Sequence, residues 1–292
     1  MKAILPIKKT IKKTALTAPE TTDRFSVRDQ DAAPGSSTAT HTLERALGVL
    51  KAFRGSPKPL AHAELVRRTG YSKASISRVA ATLVALGYLD RAPDGVRFQI
   101  GVRGLRIGHR YLSNSPITRQ AKPLMQALAD EHNMSIGLAV ANQLDMIYIE
   151  YCNSSSIATL RLGVGRTVPM ELSAIGRTYV WMQSPTHRQR LLFNILKKIG
   201  SHGPAVVAKM EEAFEDLERY GYCIAAGEYQ RDTFAVSVPV FLGDPPVPMA
   251  LNCSAVSYMP DVENIRKVLV PSLQNAAEKL KIALSSVDSA LF

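Results

Sequence analysis

The chain has 292 residues, 46% apolar and 21% charged, with a net charge of +11 at pH 7, which makes it too long for one ordinary hydrophobic core and too apolar for a disordered chain. Cys152, Cys223 and Cys253 are far apart, with no CxxC and no histidine at zinc-finger spacing; this argues against a disulfide scaffold and a metal cluster, and no run of about 18 apolar residues exists to span a bilayer. The charge is uneven, because residues 41–115 carry 13 Lys and Arg against 4 Asp and Glu while residues 116–292 carry 16 against 17, the footprint of a polyanion-binding module joined to a near-neutral one.

Residues 1–41 read as a disordered tail. Five lysines and no acid stand in the first 19 residues, without the long apolar core of a secretory signal; a transit peptide or a DNA-contacting arm are the alternatives. Thr42 is the expected N-cap of a first helix, with Leu43, Ala46, Leu47, Leu50 and Phe53 at helical spacing until GSPKP stops it. A second helix, Ala61 to Thr69, turns Leu65 and Val66 inward and is closed by Gly70. Ser72 then caps a third, whose stripe is Ile76, Val79, Ala80, Leu83 and Leu86 and whose terminator is Gly87. Tyr88-Leu89 and Val96 to Ile100 alternate as strands around the turn Ala92-Pro93-Asp94-Gly95. Three helices and a hairpin in this order make a winged helix-turn-helix over 42–101, followed by a linker helix over 102–116 that ends at Ser-Pro.

From 117 to 285 helices and strands alternate. Helices are expected near 117–132, 172–183, 186–199, 204–220 and 261–284, and strands near 134–140, 144–152, 157–162, 221–224, 234–241 and 248–255. This is an α+β domain on one sheet.

The short turn Thr69-Gly70-Tyr71-Ser72 sets two helices at a steep angle, so the second presents its start to the major groove. That start offers Ser72, Lys73, Ser75, Ser77 and Arg78. Hydroxyls and Lys73 suit phosphates or bases, and Arg78 has the fork for a guanine edge or a phosphate. Arg91 and Arg97, flanking the hairpin turn, are expected along the neighbouring backbone or minor groove. Arg103, Arg106 and Arg110 share one face of the linker helix, either solvated or phosphate-facing.

The stretches TLERALGVLKAF, ELVRRTGYSKASISRVAATLVALGYLDR and FQIGVRGLRIG, followed by LRLGVGRTVPMELSAIGRTYV and FAVSVPVF, resemble in order and spacing the IclR-type (isocitrate lyase regulator-like) family of bacterial transcription regulators. The resemblance spans residues 42 to 285. It implies a GAF/profilin-like effector-binding domain, a linker helix used in self-association as a dimer or dimer of dimers, and operator binding modulated by a small carboxylate or aromatic acid. The family's effector site falls on Ser173, Ala174, Ile175 and Gly176, with Glu228, Ala235, Asn252 and Ser254 opposite. A helix start with free N–H groups suits a carboxylate. The chain departs from the family in having Glu228 alone where an acidic pair is common, and Asn252 with Ser254 where two hydroxyls are. Met134, Leu144, Met146, Leu160 and Leu162 are candidates for apolar lining or for plain core.

An enzymatic reading finds little. The six histidines are scattered and GVG at 163–165 lacks a strand-to-helix GxGxxG context. A metabolite-binding enzyme carrying a DNA-binding domain and an architectural DNA binder are the alternatives; a chain without cofactor, metal or membrane association, acting in the cytoplasm on double-stranded DNA, is the expectation.

Overall fold

A computed structural model describes residues 38–56, 58–155, 162–256 and 261–291. The chain divides into two compact units, with the boundary at Arg119 and Gln120. The tail up to residue 37, the expected strand over 157–162 apart from its last residue, and Leu160 lie outside the described residues.

The first unit is built from α1 (Thr38–Lys51), α2 (His62–Thr69), α3 (Lys73–Ala85), the strands β1 (Leu89–Arg91) and β2 (Phe98–Ile100), and α4 (Val102–Asn114). Its core joins Val49 and Phe53 of the first helical segment to Leu65, Ile76, Val79, Leu83 and Phe98. Gly70 closes α2 in the left-handed region at φ 70°, a conformation glycine adopts without steric cost. Ser72 caps α3, its Oγ accepting from Ser75 N at 3.3 Å. Leu60 and Phe98 exchange backbone hydrogen bonds of 2.8 Å in both directions, tying the hairpin to the α1–α2 connection.

Two expectations need correction. The first helix starts at Thr38 rather than at Thr42, and its Leu43 and Leu47 are exposed; Val49 is buried in their place, with Ala46 and Leu50 packed beside it. The spacing shows two adjacent apolar stripes, and only packing on α3 decides which one is covered. Leu86 is exposed because it is the C-cap of α3, where the chain has already left the helical stripe.

Helix α4 is joined tightly to the end of α3. Gly101 N donates to Tyr88 O at 2.9 Å, and a Cβ at Gly101 would stand 2.4 Å from Gly87 O, so the two backbones meet only because this residue has no side chain. Arg103 adds a clasp, with Nη1 donating to Leu86 O at 2.9 Å. Along the rest of α4 no residue is buried; Val102 and Leu105 are 72% and 69% exposed, and Ile107 and Tyr111 are exposed as well.

The second unit is a six-stranded antiparallel sheet in the order β5-β4-β3-β8-β7-β6. Its elements are α5 (Pro116–His132), β3 (Ser135–Asn142), β4 (Asp145–Asn153), β5 (Thr167–Pro169), α6 (Ala174–Met182), α7 (Pro185–Ile199), α8 (Gly203–Tyr220), β6 (Cys223–Ala226), β7 (Thr233–Leu242) and β8 (Val247–Val256). The chain then forms α9 (Val262–Asn264), a π turn (Ile265–Leu269) and α10 (Val270–Leu284). β3 is central, and Ser135 to Ala139 are all buried, which is why it reads as an apolar run instead of an alternation. The short β5, not expected from the sequence, pairs Thr167 to Pro169 with the start of β4 and delivers the chain to the start of α6.

Along β8, successive side chains take opposite faces. Asn252 and Ser254 share one face, while Cys253 takes the other, where its Sγ meets Met134 Sδ at 3.1 Å. Cys152 is likewise turned to α5, its thiol donating to Lys122 O at 3.7 Å. Met134 is thus packing on the far face. Met146 belongs to the core with Leu144 against it, and of the four apolar candidates among the described residues only Leu162 lines the cleft described below.

Candidate functional site: a helix tip and a cleft

The first region is the start of α3. Lys73, Ser77 and Arg78 are exposed on it. Ser77 Oγ lies 2.9 Å from His62 Nε2, a partner at the start of α2 that sequence reasoning missed. Ser75 is different. It is buried, and its hydroxyl accepts from Ser72 Oγ at 3.1 Å, so it holds the helix start together instead of standing out as a free group.

The two hairpin arginines are also engaged within their own turn. Arg91 lies over the Phe98 ring, 4.4 Å from its centroid, and donates to Gly95 O at 3.3 Å. Arg97 pairs with Asp94, whose carboxylate also accepts from Arg97 N at 2.9 Å and Val96 N at 3.0 Å. The Arg97 backbone N–H, then its guanidinium and the Val96 N–H, hold the Asp94 carboxyl down at about 2. Glu64 is held down to about 2 in the same way by Arg67 and Arg68, which donate to it at 2.6 Å. Neither arginine of the wing stands free. Arg103, expected as solvated or phosphate-facing, spends its guanidinium on Leu86 O.

The second region is a narrow cleft in the C-terminal unit, with about 40 Å³ of water-accessible space inside about 450 Å³ of void open at its mouth. One wall is the start of α6. Ser173 caps it, accepting from Gly176 N at 3.2 Å and donating to Pro169 O at 2.6 Å. The N–H groups of Ala174 and Ile175 belong to the first turn, which has no intrahelical acceptors, and both residues line the cleft.

The floor is β8. Asn252 and Ser254 are 2% and 4% exposed, yet Asn252 Oδ1 and Ser254 Oγ have no hydrogen-bond partner. The Tyr148 hydroxyl lies beside Asn252 and that of Tyr151 beside Ser254 and Ser135, without closing a well-formed bond to those two orphan oxygens. Burial, the largest influence, pushes both phenols up from their ordinary value, so both remain neutral donors. A Cβ at Gly137 would stand 2.4 Å from the Tyr148 ring and 2.7 Å from Asn252 Oδ1; a bare backbone in β3 is what lets those two groups meet.

Of the effector residues expected from the sequence, Ser173, Ala174, Ile175, Glu228, Ala235, Asn252 and Ser254 all line this one cleft. Gly176 does not. Its N–H is taken by the cap, and a Cβ there would stand 2.2 Å from Met170 Cα, so its part is to let α6 seat against the preceding segment. Most of the rest of the lining is apolar or aromatic, with Phe234, Tyr229, Leu162 and Val168, beside Thr233.

The group that sequence reasoning missed is Arg177. It is 2% exposed and one turn into α6. Its guanidinium grips Glu228 with two hydrogen bonds, 2.9 and 2.5 Å, and donates twice more to Glu171 O, at 3.1 and 3.2 Å. Lys209 approaches the same carboxylate at 3.6 Å. The signal was present, since an arginine inside the apolar run AIGRTYVWM needs a buried acid. Lys198 bonds Glu171 Oε1 at 3.1 Å, so the segment leading into α6 is fixed by its side chain as well as its carbonyl.

No metal-holding group of three or more His, Cys, Asp or Glu occurs among the described residues, and no described helix is long and apolar enough to cross a membrane. The chain matches two family models, one for the IclR helix-turn-helix domain over residues 42–93 and one for the C-terminal domain of the bacterial transcriptional regulator IclR over residues 109–282. It is similar to the HTH-type transcriptional regulator TsaQ1/TsaQ2 of Comamonas testosteroni, 26% identical over 82% of this chain and 87% of that one. Among solved structures it is similar to an IclR family transcriptional regulator from Brucella abortus, with a TM-score of 0.77, 29% identity and coverage of 87% and 97% of the two chains. A further structure, an IclR homologue from Microbacterium hydrocarbonoxydans complexed with 4-hydroxybenzoate, shares the fold at a TM-score of 0.66 and 21% identity, over 82% of this chain and 98% of that one. With a helix-turn-helix unit whose third helix has an exposed start and a second unit that carries a cleft, the chain belongs to the IclR family of bacterial transcriptional regulators.

Proposed function

We propose that the effector of this regulator is a small aromatic carboxylate bearing a hydroxyl or comparable polar group, seated in the cleft between α6 and β8. The observation that carries this reading is the pair of buried, unpartnered oxygens, Asn252 Oδ1 and Ser254 Oγ, facing a helix start whose first-turn N–H groups suit an anion. An orphan buried polar group costs about 1–3 kcal/mol, and a ligand hydroxyl would recover that cost. Phe234 and Tyr148 supply flat apolar walls. The homologue complexed with 4-hydroxybenzoate supports the same ligand class.

In this reading DNA is engaged by the start of α3 through Ser72, Lys73, Ser77 and Arg78, with Arg91 and Arg97 stiffening the wing beside it and Ser75 holding the helix cap. Two copies associate through the uncovered apolar side of α4, and paired reading helices address a roughly palindromic operator. The work is done in the cytoplasm, and effector and operator are coupled only so far as the effector prefers one arrangement of the dimer.

Thermal shift with 4-hydroxybenzoate, benzoate and 4-hydroxybenzyl alcohol tests the effector assignment. A ligand at about 100 times its Kd stabilises by about 2.7 kcal/mol. The hydroxy acid should stabilise most. Ser254→Ala should erase its advantage over benzoate while leaving duplex DNA affinity unchanged; equal shifts with all three compounds would defeat the assignment.

A further inference from the structure

Between α1 and α3 runs a groove of about 360 Å³ that shares Ser75 and Arg78 with the helix tip described above and extends from them to α1. Thr42 and Arg45 line it from α1, and Ser75, Arg78 and Thr82 from α3, over a floor of Ala46 and Val79. The lining contains two guanidiniums and three hydroxyl-bearing residues but no acid. Three of the four acids among the described residues of this unit are engaged elsewhere: Glu44 meets His41 at 3.2 Å, Glu64 is shared by Arg67 and Arg68, and Asp94 is held by the hairpin; the fourth, Asp90, lies on β1 and does not line the groove. Arg45 and Arg78 are exposed, and two like charges facing one groove repel until an anion lies between them.

We infer that this groove seats a backbone phosphate of the duplex, with Arg45 of α1 and Arg78 of α3 closing on it from opposite sides. The inference rests on α3 being the reading helix. Arg78 lies six residues beyond the Ser72 cap, about 9 Å along the helix axis at 1.5 Å per residue. The major groove is about 8.5 Å deep. A helix entering tip first therefore brings Arg78 level with the phosphate rim while Lys73 is still beside the bases. Arg78 thus becomes a positioning contact as much as a base reader, and α1 enters the interface beside the helix-turn-helix.

The test measures binding of the full-length protein to a short random-sequence duplex and to any selected operator, as a function of salt. Each phosphate neutralised contributes about 0.9 to the slope of log K against log salt. Arg45→Ala should lower affinity for both duplexes by a similar factor, on the order of tenfold at low salt, and reduce the slope by about 1. Arg45→Lys should restore the slope, since a point charge also displaces a counterion. Wild-type protein that binds DNA while Arg45→Ala keeps the same affinity and slope overturns the inference and leaves the regulator reading intact. Wild-type protein that binds no duplex at all removes that reading itself. A change of oligomeric state in Arg45→Ala, seen by sedimentation, also overturns it, because the groove would then be a contact between copies of this chain. Circular dichroism melts establish that the variants are folded.

Discussion

Replacing Gly176 by alanine asks how firmly the cleft wall is seated. The new methyl would stand 2.2 Å from Met170 Cα and 2.5 Å from Met170 O, more than about 1 Å inside ordinary van der Waals contact. Backbone, not a pliable side chain, is in the way, so relief requires the start of α6 to retreat from the Pro169–Ser173 segment. Overpacking of this kind costs about 1–3 kcal/mol. Retreat also stretches the 3.2 Å cap from Gly176 N to Ser173 Oγ, which adds about 1 kcal/mol. A total of about 2–4 kcal/mol should lower the melting temperature of a domain this size by about 5–15 °C. Binding of 4-hydroxybenzoate should fall with it, because Ser173, Ala174 and Ile175 move together, while duplex affinity should hold. Differential scanning fluorimetry with and without the compound measures both effects. Gly163→Ala, where a Cβ meets nothing within 4 Å, is the control. A Gly176→Ala protein melting within about 2 °C of wild type would refute the argument that contact with Met170 demands glycine.

Leu105→Asp on α4 should shift the protein from dimer to monomer in light-scattering chromatography and weaken duplex binding with it; a dimer that persists would remove α4 as the contact between copies. The carboxyls of Asp94 and Glu64 should titrate near 2 in a carbon-13 NMR pH series. Because both are lowered on folding, their support for the fold is complete above the ordinary carboxylate value of about 4 and is lost as pH falls towards 2; midpoints near 4 would contradict the observed pairing. Burial pushes the thiols of Cys152 and Cys223 up to about 11 and raises that of Cys253 as well. Iodoacetamide at pH 8 should accordingly label none of the three in the folded protein and all three in denaturant.

The parts of the fold that could be read from the sequence are those decided by short-range chemistry. Ser72 is a cap because a hydroxyl in the right place satisfies a first-turn N–H, and Gly70 ends α2 because it alone takes a positive φ freely. The cleft residues came from resemblance to a family, and the sheet brings them together because Ala235 on β7 sits opposite Ser254 on β8. What could not be read depends on partners distant in the chain. Arg177 finds Glu228 51 residues away; an arginine inside an apolar run shows that an acid is needed, but nothing local names which one. Leu43 and Leu47 fit a helical stripe as well as Val49 and Phe53 do, but only the position of α3 tells which pair is covered. Arg91 and Arg97 look like outward charges until the hairpin closes and gives them Phe98 and Asp94 as neighbours.

The meeting of Gly87 with Gly101, locked by the clasp of Arg103, has a mechanical result. Neither glycine can be pressed closer and the carbonyl of Leu86 is already held, so a movement imposed on α4 has no slack to disappear into at this point. From Gly87 back to Ser72, α3 is a lever about 22 Å long. A tilt of about 5° at its root therefore sweeps the tip sideways by about 2 Å, more than a hydrogen bond to a base edge survives.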